Sequence, residues 1–140
     1  MKNELIGSWK LVSAVYERNG RIAYPFGKDP IGLLVYDNVG NMTVQIMQRN
    51  YAVISSPRMQ ASKAGRAAFD GYLGYFGTYE INEAERIVMH RVLGSTLAHW
   101  VGTLQIRAYE FESGQLKLST TATTDEEKGA IAVLVWERIT

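Results

Sequence analysis

Cysteine is absent from this chain of 140 residues, and histidine occurs only twice. The lack of thiols excludes disulfide bonds, a cysteine nucleophile and thiolate-bound zinc or iron–sulfur centres. The absence of cysteine also favours a protein of a reducing compartment, so we expect a cytoplasmic protein. Two histidines supply few ligands for a transition metal. The sequence therefore predicts no metal and no cofactor, although a haem held by one axial histidine stays open.

A charge of one sign and a long apolar run are also lacking. The 15 basic residues are scattered among 14 acidic ones, which argues against a nucleic acid partner. Apolar stretches such as residues 130–136 are far shorter than the roughly 20 residues of a membrane-spanning helix. Residues 1–11 do not contain the apolar core of a signal peptide. We expect one domain over residues 1–140, with neither nucleic acid nor membrane as partner.

What the chain does contain is a regular succession of turn signals and β-prone segments. Turn sequences such as Arg18-Asn19-Gly20 and Asp37-Asn38-Val39-Gly40 recur about every ten residues. The segments between them are rich in Val, Ile, Thr, Tyr and Trp and indicate strands. These predicted strands cover residues 9–16, 31–36, 42–47, 77–81, 87–92, 100–111, 115–121 and 130–139. Their spacing is typical of an antiparallel meander that closes into a barrel or a sandwich.

One segment, residues 56–75, departs from the strand pattern and predicts a helix. Ser56 can cap it and Pro57 can occupy its first position. Apolar side chains recur there at steps of three and four residues, at Ala61, Ala64, Ala68, Tyr72 and Phe76. A helix inserted near the middle of the meander is suited to covering a barrel end, either as a fixed plug or as a moving lid. The polar stretch 120–129 predicts a mobile loop.

Both ends of the strand pattern carry a motif. Gly7-Ser8-Trp9 begins the first strand and Trp136-Glu137-Arg138 closes the last. This pairing resembles the lipocalin superfamily, in which an early tryptophan seals the barrel and an arginine of the final strand lies over it through cation–π attraction and hydrogen bonds to backbone carbonyls. The resemblance assigns Trp9 and Arg138 to stability.

Further segments are similar to the bacterial and fungal lipocalin-like domain family over nearly the whole chain. The resemblance implies an all-β, antiparallel up-and-down lipocalin-like barrel. Related barrels range from ligand carriers to isomerases and cyclases, so binding and catalysis both stay open. The segments are YPFGKDPIGLLVY (24–36), GNMTVQIM (40–47), YFGTYE (75–80), HWVGTLQIRAYEF (99–111) and VLVWERI (133–139).

Candidate site residues come from two predicted strands that are consecutive in the chain. In the strand over 100–111, Gln105 and Arg107 share one face. If paired positions in this hairpin sum to about 195, His90 lies beside Gln105 and Val88 beside Arg107, which gives one polar cluster. A register slip of one residue would dissolve it. Composition alone predicts that the apolar face with Leu104 and Ile106 points into the core. In a ligand-binding barrel the polar face can point inward instead.

If the polar face points inward, Arg107 can bind a carboxylate, phenolate or enolate oxygen. His90 can then move a proton near neutral pH. Tyr36, Gln45 and Tyr79 are further strand residues able to supply hydrogen bonds to the same cavity. A purely structural interpretation also stands, in which Gln105 and Arg107 face solvent and His90 is a core residue with its hydrogen bonds satisfied.

Three functions follow as hypotheses. The first is binding, in the barrel lumen, of a small and largely hydrophobic molecule with an anionic or oxygen-rich end. The second is an isomerase, cyclase or lyase that uses the same pocket, with His90 or Tyr79 moving a proton while Arg107 stabilises negative charge. The third is an interaction domain, for example a homodimer through the surface around residues 31–36.

Overall fold

The computed structural model describes residues 3–49, 71–120 and 130–140. These ranges contain nine β-strands and a single turn of 3-10 helix at Ala98–Trp100. The strands are β1 (Gly7–Arg18), β2 (Arg21–Ala23), β3 (Ile31–Tyr36), β4 (Asn41–Met47), β5 (Tyr72–Asn82), β6 (Ile87–Ser95), β7 (Leu104–Glu112), β8 (Gln115–Thr120) and β9 (Ala130–Arg138).

The strands form an up-and-down barrel in which each strand is antiparallel to its neighbour. Strand β1 pairs with β3, and β3 to β9 then follow in chain order. Strand β1 also pairs with β9, which closes the sheet into a barrel of eight strands. The short β2 is an extra strand that pairs with residues 16–18 at the end of β1. The predicted all-β antiparallel barrel is confirmed.

Alternation of side chains along the strands explains why this sheet curls around a core. In β4, Met42, Val44 and Ile46 are buried, whereas Thr43 and Gln45 lie on the outer face. The hairpins need left-handed backbone conformations at their tips, which the pair Ser113-Gly114 adopts with φ of 52° and 79°. Tight two-residue turns with this geometry match the twist of paired strands.

One end of the barrel is closed by residues 3–6 and by two paired side chains. Trp9 is directly opposite Arg138 in the β1–β9 ladder. The Arg138 guanidinium carbon lies 4.1 Å from the Trp9 ring centroid. Its two Nη groups donate hydrogen bonds to the carbonyl oxygens of Ile6 at 2.8 Å and Glu4 at 2.6 Å. The predicted closure by Trp9 and Arg138 is confirmed in the structure.

The helix predicted over residues 56–75 is wrong at its end. Residues 72–75 belong to β5, where Tyr72 pairs with Met47. Ladder hydrogen bonds satisfy the backbone here, and Gly71 and Gly74 weaken a helix by about 1 kcal/mol each. The rest of the predicted helix, residues 56–70, lies outside the described residues, as does the predicted loop beyond Thr120. No helix in the described ranges is long and apolar enough to cross a bilayer.

The predicted strand over residues 100–111 also starts too early. Residues 98–100 form the 3-10 turn, and β7 begins only at Leu104. Gly102 has a φ of +85°, a conformation that a strand does not allow. Backbone hydrogen bonds across the turn, from Trp100 to the Leu97 carbonyl at 2.9 Å and from Thr103 to the Trp100 carbonyl at 3.0 Å, replace the ladder.

Candidate functional site

The polar face of β7 points into the barrel. Tyr109 on this face is buried, whereas Leu104 and Ile106 on the other face are 44% and 36% exposed. His90 pairs with Gln105 and Val88 with Arg107, the register that the hairpin predicts. The expectation from composition alone, with Leu104 and Ile106 in the core, is wrong. A hydrophobic interior that carries a few oriented polar groups is the usual make-up of a ligand pocket.

His90 is held between two tyrosine hydroxyls. Its Nε2 lies 2.7 Å from the Tyr36 hydroxyl and its Nδ1 lies 2.8 Å from the Tyr75 hydroxyl. His90 is 1% exposed and Tyr36 is fully buried. Three strands thus supply one continuous hydrogen-bonded row, which we call the Tyr36–His90–Tyr75 row. Both ring nitrogens of His90 are engaged, so the imidazole is satisfied within the barrel wall.

A β-bulge in β6 lies next to the segment of β5 that carries Tyr75. The ladder between β5 and β6 shifts between Phe76 and Gly77, and Leu93 is left without a direct partner. A Cβ at Gly77 would collide with the carbonyl oxygen of Arg91, so only glycine allows this approach of the two strands. Tyr75 and Tyr79 both remain on the inner face, on either side of Gly77.

Burial controls the titration of the row. Burial, and to a lesser extent the nearby positive charge of Arg107, lower the pKa of His90 to about 3. Burial also raises the pKa of Tyr75, which Arg107 partly offsets. The pKa of Tyr36 is raised mainly by burial and then by Tyr75. At neutral pH the row is therefore uncharged.

Arg107 borders the row on one side. Its guanidinium carbon lies 5.9 Å from the centroid of the Trp100 ring. Trp100 also forms a T-shaped contact with Tyr75, with ring centroids 5.5 Å apart. One Nη donates a hydrogen bond to the Ile106 carbonyl at 3.0 Å. Among the described residues, no carboxylate forms an ion pair with Arg107. The guanidinium thus keeps donors for another partner.

The remaining predicted site residues divide between the interior and the outer face. Gln105 is half-buried, and its Nε2 donates to the Thr103 hydroxyl at 2.8 Å. Tyr79 packs edge-on against Tyr36 but donates its own hydroxyl proton to the Asp37 carbonyl at 2.6 Å, at the closed end. Gln45 lies on the outer face, where its Nε2 contacts the Thr43 hydroxyl at 3.2 Å.

These positions separate the six predicted site residues into three groups. The structure brings Tyr36, His90, Gln105 and Arg107 together on the inner face. Tyr79 is also interior but its hydroxyl is used by the closed end. Gln45 belongs to neither, because strand alternation turns it away from the lumen.

Sequence reasoning missed Tyr75 and Trp100 as site residues. Tyr75 fell at the end of the predicted helix, yet it lies four positions before Tyr79, a spacing that puts both on one face of a strand. The predicted strand over residues 100–111 includes Trp100, although Gly102 signals a turn. Within the described ranges no cluster of acidic residues or histidines is arranged to hold a metal.

The comparisons with known proteins agree with this architecture. Residues 6–139 match the lipocalin-like domain family, and the chain belongs to that family. A lipocalin-like protein from Bacteroides uniformis superposes with a TM-score of 0.51 at 12% identity, over 98% of this chain and 100% of that one.

A further solved structure, an uncharacterized protein from Bacteroides eggerthii, superposes with a TM-score of 0.48 at 12% identity, covering 94% of this chain and 98% of that one. No curated protein matches the sequence. The likeness to the Bacteroides uniformis protein, at 12% identity, shows the shared fold alone. The lipocalin-like barrel is an architecture suited to binding small molecules.

Proposed function

We propose that the protein binds a small, largely hydrophobic molecule in the barrel lumen and holds the anionic or oxygen-rich end of that molecule with Arg107. The observation that carries this proposal is the inward polar face of β7, which places a guanidinium without a carboxylate partner, among the described residues, beside aromatic walls. Charge-assisted hydrogen bonds from arginine to an oxygen anion are among the strongest that proteins make.

The surroundings of Arg107 favour an amphipathic ligand over a fully polar one. The Trp100 ring lies next to the guanidinium and packs against Tyr75, and Val92 of β6 and Ile46 of β4 are also buried in the interior. A bound molecule would therefore meet apolar walls along its body and a positive charge at one end. Apolar pockets with a small number of oriented polar groups bind such molecules with a defined orientation.

The alternative, an isomerase, cyclase or lyase, needs a group that moves a proton at neutral pH. His90 is poorly suited to this, because both its nitrogens are hydrogen-bonded and burial holds its pKa at about 3. The Tyr79 hydroxyl is committed to the Asp37 carbonyl. These two observations support binding over proton transfer.

Fluorescence titration with anilinonaphthalene sulfonate, an acidic apolar probe, tests the proposal. We expect saturable binding to the native protein and a loss of affinity of about tenfold or more in Arg107→Ala, since one charge-assisted contact contributes about 1.5–3 kcal/mol. Lys117→Ala is the matched control, because it also removes one positive charge but lies in a surface ion pair with Glu110. Equal affinities in the two variants would remove Arg107 from the proposal.

A further inference from the structure

The Tyr36–His90–Tyr75 row contains three polar hydrogens, but the hydrogen bonds within the row use only two of them. A neutral imidazole carries one N–H and each tyrosine carries one O–H, which makes three donors. Only two hydrogen bonds link the three side chains, at 2.7 Å and 2.8 Å. One tyrosine must therefore accept a proton from His90 and keep its own hydroxyl proton for a partner outside the row.

The surroundings of the two tyrosines decide which one this is. Neither hydroxyl has an acceptor among the described residues apart from His90, but Tyr36 is fully buried whereas Tyr75 is 7% exposed. A buried hydroxyl proton without an acceptor costs about 1–3 kcal/mol. Tyr36 therefore donates to Nε2, His90 carries its proton on Nδ1, and that N–H donates to the Tyr75 oxygen. The spare proton belongs to Tyr75.

Tyr75 is also the tyrosine that lies toward the ligand anchor. It contacts Trp100, which in turn contacts the Arg107 guanidinium. Its hydroxyl oxygen already accepts from His90, so toward the lumen it acts chiefly as a donor. The hydroxyl of Tyr75 and the guanidinium of Arg107 thus both require an acceptor.

We propose that Tyr75 is a ligand-binding residue, whose hydroxyl donates to an acceptor-only oxygen of the ligand beside Arg107. This inference rests on the proposed function and narrows its ligand class to molecules with a carboxylate, or an equivalent oxygen anion, at one end of an apolar body. An ammonium group is excluded because it offers only donors. An alcohol is disfavoured, since it accepts weakly and leaves its own proton without a partner.

The tautomer is tested without any ligand. Because the chain has two histidines, the His99→Gln variant leaves His90 as the single imidazole for nitrogen NMR. We expect the Nδ1 resonance at the position of a protonated ring nitrogen and the Nε2 resonance at that of an unprotonated one. The reverse assignment would overturn the role of Tyr75, and it would leave the proposed function of the lumen intact.

The ligand class is tested by calorimetric titration with decanoate, decanol and decylammonium. We expect the native protein to bind decanoate more tightly than decanol and decylammonium least. Tyr75→Phe should weaken decanoate binding about tenfold, as for the loss of a hydrogen bond to a charged group. Tyr109→Phe is the matched control, a change of the same size at another buried tyrosine, near the closed end, and should leave the affinity unchanged.

The possible failures can be told apart. Unchanged decanoate affinity in Tyr75→Phe, or tighter binding of decylammonium than of decanoate, would overturn the inference about Tyr75. Binding of none of the three probes to the native protein would overturn the proposed function and the ligand class together.

Discussion

Trp9 and Trp136 lie on the neighbouring strands β1 and β9 with the same exposure, 1% each, but only one of the two indole N–H groups has an acceptor. Trp9 Nε1 donates to the Leu5 carbonyl at 3.0 Å. The buried Trp136 Nε1 has no hydrogen-bond partner among the described residues. The pair allows the combined effect of this hydrogen bond and of the Arg138 contact on Trp9 to be measured against an equally buried tryptophan.

We predict that Trp9→Phe destabilises the barrel by about 1 kcal/mol more than Trp136→Phe does. Both changes remove the same volume, but only the first removes a hydrogen bond and weakens a cation–π contact with Arg138. Urea denaturation of the two variants measures the difference. Equal losses of unfolding free energy would show that the hydrogen bond to Leu5 and the Arg138 contact together contribute nothing net.

Burial of His90 makes stability depend on pH. The pKa of His90 falls from 6.5 to about 3 on folding, so the unfolded chain takes up a proton at higher pH than the folded chain. The stabilising contribution is fully present above pH 6.5 and is lost as the pH falls toward 3. Between pH 7 and pH 5 we expect unfolding free energy to drop by about 2 kcal/mol.

Urea denaturation across this range tests the assignment. The window ends at about pH 5 because carboxyl groups titrate below it. Among them is Asp37, whose pKa is lowered mainly by hydrogen bonds from Asn41. In His90→Gln the drop should largely disappear, whereas His99→Gln should retain it. A steep drop that survives in His90→Gln would mean that another group is responsible.

Gln105 and Gln45 were equal candidates in the sequence but lie on opposite faces of the barrel wall. We predict that Gln105→Ala alters affinity for the acidic apolar probe by roughly twofold to tenfold, the effect of one neutral hydrogen bond. Gln45→Ala should leave it unchanged. An effect of Gln45→Ala equal to that of Gln105→Ala would contradict the orientation of β4.

The hairpin of β6 and β7 was predictable because turn signals and strand periodicity act locally. A paired register follows directly from the length of the connection, and the His90–Gln105 and Val88–Arg107 partners confirm it. The direction of the polar face was not fixed by the same signals. It depends on whether the barrel interior is filled or left as a pocket, and strand composition does not contain that information.

Tyr75 shows a second limit of local patterns. Its segment combines helix-like spacing of apolar residues with glycines, and the ladder with β4, where Val44 pairs with Tyr75, overrides the weak helical preference. The bulge at Leu93, opposite the step from Phe76 to Gly77, goes with a close approach of Gly77 to the Arg91 carbonyl, which belongs to another strand. Such long-range contacts are invisible to a window of neighbouring residues.

The β1–β9 ladder, in which Trp9 faces Arg138, also sets the order of events when the chain is made. Strand β1 leaves the ribosome first and can pair early with β3, but its other edge has no partner until β9 has been synthesised. For that interval the nascent chain exposes an unpaired strand edge, the feature that promotes aggregation between copies. Because closure joins the most distant strands of the sheet, we expect it to be the slow and aggregation-prone step of folding.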